Sequence, residues 1–407
     1  MIQVAIMGHG VVGSGVASII TTHKKKLFAN LGEEIYIKKV LDLREFPDSP
    51  IADRFTKDFN DILNDAEIRV VAEVMGGINP AYEYTKELLK AGKSVVTSNK
   101  ELVAAKGAEL IQIAKSNNAN FFFEASVGGG IPILRPLVQC LVANNVKEVA
   151  GILNGTTNFI LSKMIDEGMD FDAALKLAQD LGFAERNPEA DVEGHDACRK
   201  ICILASLAYG KHIYPDNIHT EGITNISLRD VTYAAEYNSV IKLIGDVKLL
   251  DNGKIDIYVS PMFVREKSLL ANIHDEFNGI MVRGDCTDDV LFYGKGAGSL
   301  PTASAVVADI IDACQHLKER KYIFWADSNN ESVLPYNESR TRMYLRIDKP
   351  DSLDLVNEVF GNVYVIASDD ELAVATDLMT IEEIERNIEK LERKDVKILS
   401  KIRISDL

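Results

Sequence analysis

Short apolar runs alternate with helically periodic segments along the first third of the chain. The runs that predict strands are 2–7, 35–41, 68–74, 94–97 and 120–124. The segments that predict helices are 16–20, 80–91 and 101–115, and residues 24–34 are predicted to form a loop. Because strands separated by helices usually pair in parallel, this order predicts an α/β fold with a Rossmann-type, doubly wound parallel sheet.

The pattern changes near residue 145 and again after a polar stretch at 327–340. Apolar runs at 148–151, 254–261 and 279–284, together with long helical segments, predict a mixed α+β domain. The last segment predicts the order β-α-β-β-α-β, which is that of a ferredoxin-like unit. Its predicted elements are the strands 343–347, 363–367, 372–376 and 396–404 and the helices 352–360 and 381–393. The predicted domains are a nucleotide-binding domain at 1–144, completed by about 293–325, a substrate domain at 145–292, and the ferredoxin-like unit at 341–407.

The composition narrows the class of protein. A length of 407 residues exceeds what one hydrophobic core usually supports, which agrees with several domains. The net charge of -16 argues against binding to nucleic acid or to an anionic membrane, since both need clustered basic residues. The five cysteines include no C-x-x-C pair, so neither disulfides nor structural zinc is expected. Without a signal-peptide pattern or an apolar window of about 18 residues, the chain is predicted to be cytoplasmic.

A glycine motif follows the first predicted strand. Gly8, Gly10 and Gly13 form G-x-G-x-x-G, and Val11 and Val12 lead into the next predicted helix. Glycines in this setting permit a tight turn and let a pyrophosphate approach the helix N-terminus. The motif favours a dinucleotide ligand; the alternative is a turn that only packs the helix on the strand.

Two charged residues follow the second predicted strand. Asp42 could accept hydrogen bonds from the adenosine ribose of NAD, whereas Arg44 could contact the 2′-phosphate of NADP. Either could instead be an ordinary loop charge. The pattern slightly favours NAD and leaves NADP open.

Several loops follow predicted strands and therefore lie at the carboxyl edge of the sheet, where ligands of such folds bind. Gly76 and Lys100 lie in two of them, and Lys100 is predicted to point towards the cofactor unless it is merely solvated. The glycine-rich loop after Glu124 could hold a monovalent cation through carbonyl oxygens, or it could be a tight turn without an ion. A second glycine-rich helix entrance at 296–298 could contact the cofactor or only close the domain.

An acidic segment with prolines and glycines leads into an apolar helix. It places Glu185, Asp191 and Asp196 ahead of Lys200. If the helix begins near Glu193, Asp196 and Lys200 lie four residues apart on one face and can interact. Such a pair is usually solvated, but beside an apolar helix it favours a cleft that binds a small zwitterion and moves its proton.

Polar residues also follow the strand predicted at 148–151. The hydroxyl and amide groups around Gly155 and Thr156 suit recognition of a carboxylate or a phosphate. The alternative is a helix N-cap formed by Thr156 or Thr157.

Taken together, these motifs resemble homoserine dehydrogenase along nearly all of residues 1–325. The features that carry the resemblance are the glycine motif, Glu73-Val74-Met75-Gly76-Gly77, Asn99-Lys100, the Glu124 loop, Asn154-Gly155-Thr156, the acidic segment up to Lys200, and Gly296-Ala297-Gly298 with Pro301-Thr302. The resemblance implies NAD(P)-dependent interconversion of L-aspartate 4-semialdehyde and L-homoserine, in threonine, methionine and isoleucine biosynthesis. It also implies that the second domain mediates dimerisation, in a homodimer or a higher homo-oligomer.

The resemblance implies roles for individual residues. With the loop residues above, the expected contacts of NAD or NADP are Gly8, Gly10, Val11, Val12, Gly13, Asp42, Arg44, Gly76, Lys100, Gly296, Ala297 and Gly298. The residues implied for substrate binding are Glu185, Asp191, Thr156 and Gly155. Lys100 and Lys200 would lie at the reacting carbonyl, with Asp196 orienting Lys200; our hypothesis is that Lys200 donates the proton and Lys100 stabilises the oxyanion. The residues implied for a Na⁺ or K⁺ ion are Glu124 and the backbone of Val127, Gly129 and Ile131.

Residues 341–407 are similar to the ACT domain often appended to these enzymes. The loop at 348–352 departs from that pattern, because it lacks the usual glycine at which an effector amino acid would contact the backbone. Control by threonine is therefore left open, and assembly is an alternative role.

Two other classes of protein share parts of the pattern. Aspartate-semialdehyde dehydrogenase would need a cysteine nucleophile at the active edge, and neither Cys140 nor Cys198 is well placed for it. A non-catalytic sensor of amino acids and nucleotides, built from Rossmann and ACT-like units, would be expected to lose Lys100, Lys200 or Asp196. All three are present, so the enzyme is favoured.

Overall fold

The computed structural model describes residues 1–321, 323 and 325–407. The strands are β1 Ile2–Met7, β2 Ile35–Leu41, β3 Phe55–Thr56, β4 Ile68–Glu73, β5 Ser94–Thr97, β6 Phe121–Phe122, β7 Val146–Ile152, β8 His219–Thr220, β9 Ser239–Leu249, β10 Ile255–Arg265, β11 Phe277–Gly284, β12 Asp288–Lys295, β13 Arg340–Ile347, β14 Tyr364–Ser368, β15 Leu372–Ala375, β16 Met379–Thr380 and β17 Ile398–Ile404. The helices are α1 Val11–Thr22, α2 Lys24–Leu31, α3 Asn60–Leu63, α4 Ala81–Lys90, α5 Lys100–Ser116, α6 Gly155–Glu167, α7 Phe171–Asp180, α8 Glu189–Val192, α9 His195–Tyr209, α10 Leu228–Glu236, α11 Ser299–Gln315, α12 Leu353–Phe360 and α13 Ile381–Glu392. Within these described ranges, no helix is both long and apolar enough to cross a membrane.

The chain divides into two compact units, each built from three stretches. The first unit contains residues 1–145, 202–215 and 294–330. The second contains residues 146–201, 216–293 and 331–407. Helix α9 contributes its first part to the second unit and the rest to the first.

The first unit contains a six-stranded parallel sheet in the order β3-β2-β1-β4-β5-β6. The predicted Rossmann-type α/β class is confirmed. The apolar side chains of β1, such as Val4 and Ile6, pack in one core with Ala303, Val306 and Ile310 of α11. A helix from late in the chain therefore completes the core of the N-terminal sheet.

The loop predicted at 24–34 is wrong, because this region contains helix α2. Leu27 is the one buried residue of the helix, and the three lysines before it are exposed. A helix that buries one side chain over two turns has almost no apolar periodicity, so the sequence pattern does not reveal it.

The second unit contains a mixed sheet in the order β12-β11-β7-β9-β10-β17-β13-β15-β14. Strand β9 lies between β7 and β10, although the sequence pattern does not predict it. It buries Lys242 and Asp246, each 1% exposed, among apolar residues such as Ile241 and Ile244. These buried charges break the alternation by which a strand is recognised.

Residues 340–404 contain the predicted order of strands and helices, with the short β16 added. The last strand, β17, pairs antiparallel with β13 and parallel with β10. The contact with β10 joins Met262 to Arg403 and Phe263 to Ile404. The C-terminal strands therefore continue the sheet formed by residues 146–284.

Candidate active site

The glycine motif forms the turn between β1 and α1. Gly10 is the N-cap of α1, and Val11, which opens the helix, is 69% exposed. A Cβ atom on Gly13 would lie 2.0 Å from the carbonyl oxygen of Gly8, so only glycine fits there. This turn brings backbone amides of the helix N-terminus to the carboxyl edge of the sheet, an arrangement that suits a pyrophosphate.

Asp42 lies at the end of β2, beside the glycine turn. Its carboxylate accepts hydrogen bonds from the His9 amide at 2.7 Å and from Arg44 Nε and Nη2 at 3.0 and 2.9 Å. The hydrogen bonds from the Arg44 guanidinium hold the pKa of Asp42 far below its usual range. His9 and Phe46, which the sequence analysis did not single out, line a neighbouring cavity of 560 Å³. Asp42 is shielded, whereas the side chain of Arg44 is 62% exposed.

The loop that contains Gly76 is fixed from the end of β4. Glu73 is fully buried, and its carboxylate accepts hydrogen bonds from the Met75 amide at 2.8 Å and the Thr97 hydroxyl at 2.6 Å. Burial raises the pKa of this carboxyl. Asn99 caps α5 and donates its side-chain amide to the Gly77 carbonyl at 2.6 Å. Lys100, the first residue of α5, therefore starts from a fixed position at this edge.

The carboxylate of Glu124 organises its own loop. One oxygen accepts the amides of Ile133 and Leu134 at 2.7 and 2.8 Å, and the other accepts the Arg135 amide at 2.8 Å. Asp309 of α11 accepts the amide of Glu124 at 2.9 Å and pairs with Arg135 at 2.5 Å. Burial raises the pKa of Asp309 to about 7. The Glu124 carboxylate thus fixes the loop through main-chain amides, a role the sequence analysis did not foresee.

The first unit brings three of the predicted glycine-rich segments together. The Gly130 amide donates to the Lys295 carbonyl at 3.1 Å, which joins the Glu124 loop to the turn at 296–298. The Ser299 hydroxyl, directly after that turn, donates to the Val11 carbonyl at 2.7 Å. The glycine motif, the Glu124 loop and the turn of Gly296, Ala297 and Gly298 are therefore neighbours.

The second unit contains the predicted acid and lysine pair. Lys200 Nζ lies 2.8 Å from Asp196 Oδ2 and also donates to the Leu153 carbonyl at 2.8 Å. The side chains of Lys200 and Asp196 are 9% and 3% exposed. The pair is therefore shielded from bulk water, in contrast to an ordinary surface ion pair on a helix.

Helix α9 begins at His195 rather than near Glu193. Gly194 has a φ of +81°, which lies outside the right-handed helical region and separates α9 from the short helix α8. Asp196 and Lys200 still lie four residues apart on α9, as predicted.

Asn154 joins the two aspartates. Its Nδ2 donates to Asp191 Oδ1 at 2.7 Å and to Asp196 Oδ2 at 2.9 Å. Its Oδ1 accepts the Thr157 amide at 2.9 Å, so Asn154 is the N-cap of α6. The alternative considered for this segment, an N-cap at Thr156 or Thr157, is therefore wrong. An asparagine between a strand and a helix is itself a capping signal, and it could have been recognised from the sequence.

The remaining predicted substrate residues lie at the start of α6 and in the turn before α8. Gly155 opens α6, and the Thr156 hydroxyl donates to the Phe183 carbonyl at 2.7 Å. Glu185 is exposed and its carbonyl accepts a hydrogen bond from Gln179 at 3.2 Å. Over the described residues, no hydrogen bond joins the Glu185 carboxylate to the cluster around Asp196, so the structure brings Asp191 into this cluster but not Glu185.

Comparison with known proteins places these two units in one family. A model described as the NAD-binding domain of homoserine dehydrogenase matches residues 8–124, and a homoserine dehydrogenase model matches residues 132–311. The chain is 41% identical to homoserine dehydrogenase of Bacillus subtilis (strain 168), over 78% of this chain and 74% of that protein. A crystal structure of a homoserine dehydrogenase from Thiobacillus denitrificans matches with a TM-score of 0.91 and 34% identity, over 100% of this chain and 98% of that one.

A cofactor complex is among the similar structures. A hyperthermophilic archaeal homoserine dehydrogenase in complex with NADPH matches with a TM-score of 0.65 and 29% identity, over 77% of this chain and 97% of that one. With its NAD(P)-binding sheet and its buried acid and lysine pair, the chain belongs to the homoserine dehydrogenase family of oxidoreductases.

Proposed function

We propose that this chain interconverts L-aspartate 4-semialdehyde and L-homoserine, and that Lys200 is the proton donor and acceptor. The observation that carries the proposal is the buried pair of Lys200 and Asp196, which Asn154 links to Asp191. An ammonium held in a shielded site can protonate or stabilise an oxygen on which negative charge develops.

The proton step follows from the position of this pair. When the aldehyde is reduced, its carbon receives a hydride and its oxygen becomes an alkoxide. Lys200 gives the proton to that oxygen, while Asp196 and the Leu153 carbonyl hold the ammonium in place. In the direction of oxidation, Lys200 takes the proton from the hydroxyl of homoserine. We assign stabilisation of the oxyanion to Lys100.

The substrate is an amino acid, so its ammonium needs carboxylates and its carboxylate needs donors. We assign Asp191 and Glu185 to the ammonium, and Gly155 and Thr156 to the positioning of the substrate. Asp191 is supported in this role by its hydrogen bond from Asn154 at 2.7 Å. Glu185 is exposed in the ligand-free chain, so its contribution requires the turn around it to close on the substrate.

The residues of the first unit fit a nicotinamide dinucleotide, which supplies or accepts the hydride when bound. Gly13 lets α1 pack closely on the turn, since a side chain there would collide with the Gly8 carbonyl. The position of a Cβ atom on Gly10 is open among the described residues, which leaves room for the pyrophosphate. We assign the ribose to Asp42, and the neighbouring 560 Å³ cavity, lined by His9 and Phe46, to the adenine side of the ligand.

We also propose a Na⁺ or K⁺ ion at the Glu124 loop, held by Glu124 and the main-chain carbonyls of Val127, Gly129 and Ile131. Carbonyl oxygens are suitable ligands for a hard monovalent cation. The proposal is supported by the three amides that bind the Glu124 carboxylate, because they fix the course of the loop.

The C-terminal segment and the setting of the enzyme complete the proposal. We assign residues 341–407 to an ACT-like unit with a role in assembly, and we propose a homodimer or a higher homo-oligomer. The reaction would serve threonine, methionine and isoleucine biosynthesis in the cytoplasm.

An assay of the purified chain tests the reaction directly. Oxidation of NADH or NADPH is expected on addition of L-aspartate 4-semialdehyde, and the rate is expected to increase with K⁺ if the cation site is present. The measurement is cofactor absorbance, with and without K⁺ and threonine. Failure to oxidise either cofactor would contradict the proposed reaction.

Replacement of Arg44 tests the choice of cofactor. The variant Arg44→Ala is expected to raise the Michaelis constant for NADPH about tenfold, since the guanidinium is the group suited to a 2′-phosphate. The constant for NADH should stay unchanged or fall, because Asp42 loses a competitor for the ribose hydroxyls. Lys24→Ala, in the exposed helix α2, is the control. Equal changes in the Michaelis constants for NADPH and NADH would show that Arg44 does not recognise the 2′-phosphate.

A further inference from the structure

The C-terminal strand carries a buried arginine into the second unit. Arg403 lies on β17 next to β10 and is 1% exposed. Its guanidinium carbon lies 3.9 Å from the ring centroid of Tyr258 and 5.0 Å from that of Tyr336. A desolvated guanidinium over aromatic faces is a strong and directional contact. Arg403 therefore fixes Tyr336 against the sheet.

Tyr336 in turn holds the segment 219–224. Its ring stacks on His219 with centroids 3.4 Å apart and an angle of 11° between the planes. Its hydroxyl donates to Glu221 Oε1 at 3.2 Å, and His219 Nε2 lies 2.5 Å from the same oxygen. The four residues Arg403, Tyr336, His219 and Glu221 form a clamp between the C-terminal strand and this segment.

The segment held by the clamp packs on the turn between α8 and α9. The Ile223 amide donates to the Val192 carbonyl at 2.8 Å, and the Thr224 hydroxyl donates to Glu193 at 3.1 Å. A Cβ atom on Gly222 would lie 2.3 Å from the Val192 carbonyl oxygen, so the two backbones are in direct contact. Two hydrogen bonds and a close main-chain contact therefore link the turn at 192–194 to this segment.

The same turn separates Asp191 from Asp196. Both aspartates accept hydrogen bonds from one nitrogen, Asn154 Nδ2. Their spacing depends on the conformation of the four residues between them. We infer that Arg403, Tyr336 and Glu221 are positioning residues, which hold the turn at 192–194 and so set the placement of the two aspartates. This inference rests on the proposed function, in which Asp191 binds the substrate and Asp196 orients Lys200. Through Arg403, the C-terminal strand β17 thereby contributes to the geometry of the active site.

The variant Tyr336→Phe tests the clamp with little change in shape. It keeps the ring between Arg403 and His219 and removes the hydroxyl that binds Glu221. The amides of Glu193 and Gly194, which are hydrogen-bonded to Glu189 and Asp191, are expected to exchange with solvent about tenfold faster, as for loss of a hydrogen bond to a charged group. The Michaelis constant for aspartate semialdehyde should rise by a similar factor, and that for NADPH should not change.

Two further variants make the result specific. Glu221→Leu, which has no acceptor for the Tyr336 hydroxyl or for His219, should have at least the effect of Tyr336→Phe. The double variant should be no worse than Glu221→Leu alone, because the hydrogen bond that Tyr336→Phe removes ends on Glu221. Lys401→Met is the matched control: it lies on β17, but its amine pairs with Glu385 at the surface. In this control, the exchange of the Glu193 and Gly194 amides and the Michaelis constant for aspartate semialdehyde should stay unchanged.

Each outcome decides the inference. Unchanged amide exchange in Tyr336→Phe and Glu221→Leu would overturn the clamp. Faster exchange with an unchanged Michaelis constant for the semialdehyde would overturn its positioning role. Asp191→Asn, measured alongside, separates this from the proposed function: if that variant keeps a normal Michaelis constant, the substrate role of Asp191 is wrong, and with it the inference that the clamp serves substrate binding.

Discussion

Lys200→Met is expected to lower kcat for aspartate semialdehyde by about 10³-fold, within the range by which a positioned acid or base accelerates proton transfer. Methionine keeps most of the length and apolar body of lysine but has no proton to give. The Michaelis constant for NADPH should change little, because the glycine turn lies in the first unit. The measurement is turnover under saturating cofactor and substrate.

Loss of stability must be separated from loss of chemistry in this variant. Removing the lysine from a buried ion pair leaves a buried carboxylate uncompensated, which costs about 3 kcal/mol of the free energy of unfolding. Thermal unfolding should therefore be followed beside turnover. Lys176→Met breaks an exposed pair with Asp180 at the same i, i+4 spacing and should leave both quantities nearly unchanged. Near-normal turnover of Lys200→Met, with turnover abolished in Lys100→Ala, would assign the proton to Lys100.

Asn154→Asp is expected to lower kcat/KM by about 100-fold, although it changes one atom of the side chain. The new oxygen would replace the nitrogen that donates to Asp191 at 2.7 Å and to Asp196 at 2.9 Å. Three carboxylates would then share one site, and like charges at this distance cannot all be ionised. Activity should partly recover as the pH falls, because one of the three then binds a proton.

Asn154→Ser separates this repulsion from loss of the helix cap. Serine, like aspartate, can still cap α6 by accepting the Thr157 amide, but it lacks the amide donors and adds no charge. We expect a loss of about tenfold for this variant, as for removal of a hydrogen bond to a charged group. Equal losses in the serine and aspartate variants, with no dependence on pH, would mean that Asn154 acts only as a cap.

The parts of the site that could be predicted are those whose residues are close in sequence. Asp196 and Lys200 are one helical turn apart, so their contact follows from helix geometry alone. Asn154 lies 37 and 42 residues from the two aspartates it joins. That contact depends on how β7 and α6 pack against α8 and α9, which a single sequence does not specify.

The same limit applies to the fold. The parallel sheet of the first unit was predictable, since its strands are apolar runs separated by helices. Strand β9 was not, because Lys242 is held inside the sheet by hydrogen bonds to Asn158 at 3.2 Å and to the Ile273 carbonyl at 2.6 Å. In the sequence, a buried lysine whose hydrogen-bond partners are distant along the chain cannot be distinguished from a surface lysine.

The three-stretch construction of the first unit has a consequence for synthesis on the ribosome. Residues 1–145 contain every strand of the parallel sheet, yet Ala303, Val306 and Ile310 of its core are added only after the whole region 146–293 has been made. Until then the nascent sheet exposes the apolar surface that α11 later covers, and such surfaces favour association of incomplete chains. The nascent chain is therefore most dependent on chaperones before α11 emerges, and the nucleotide-binding half is completed late although it is encoded first.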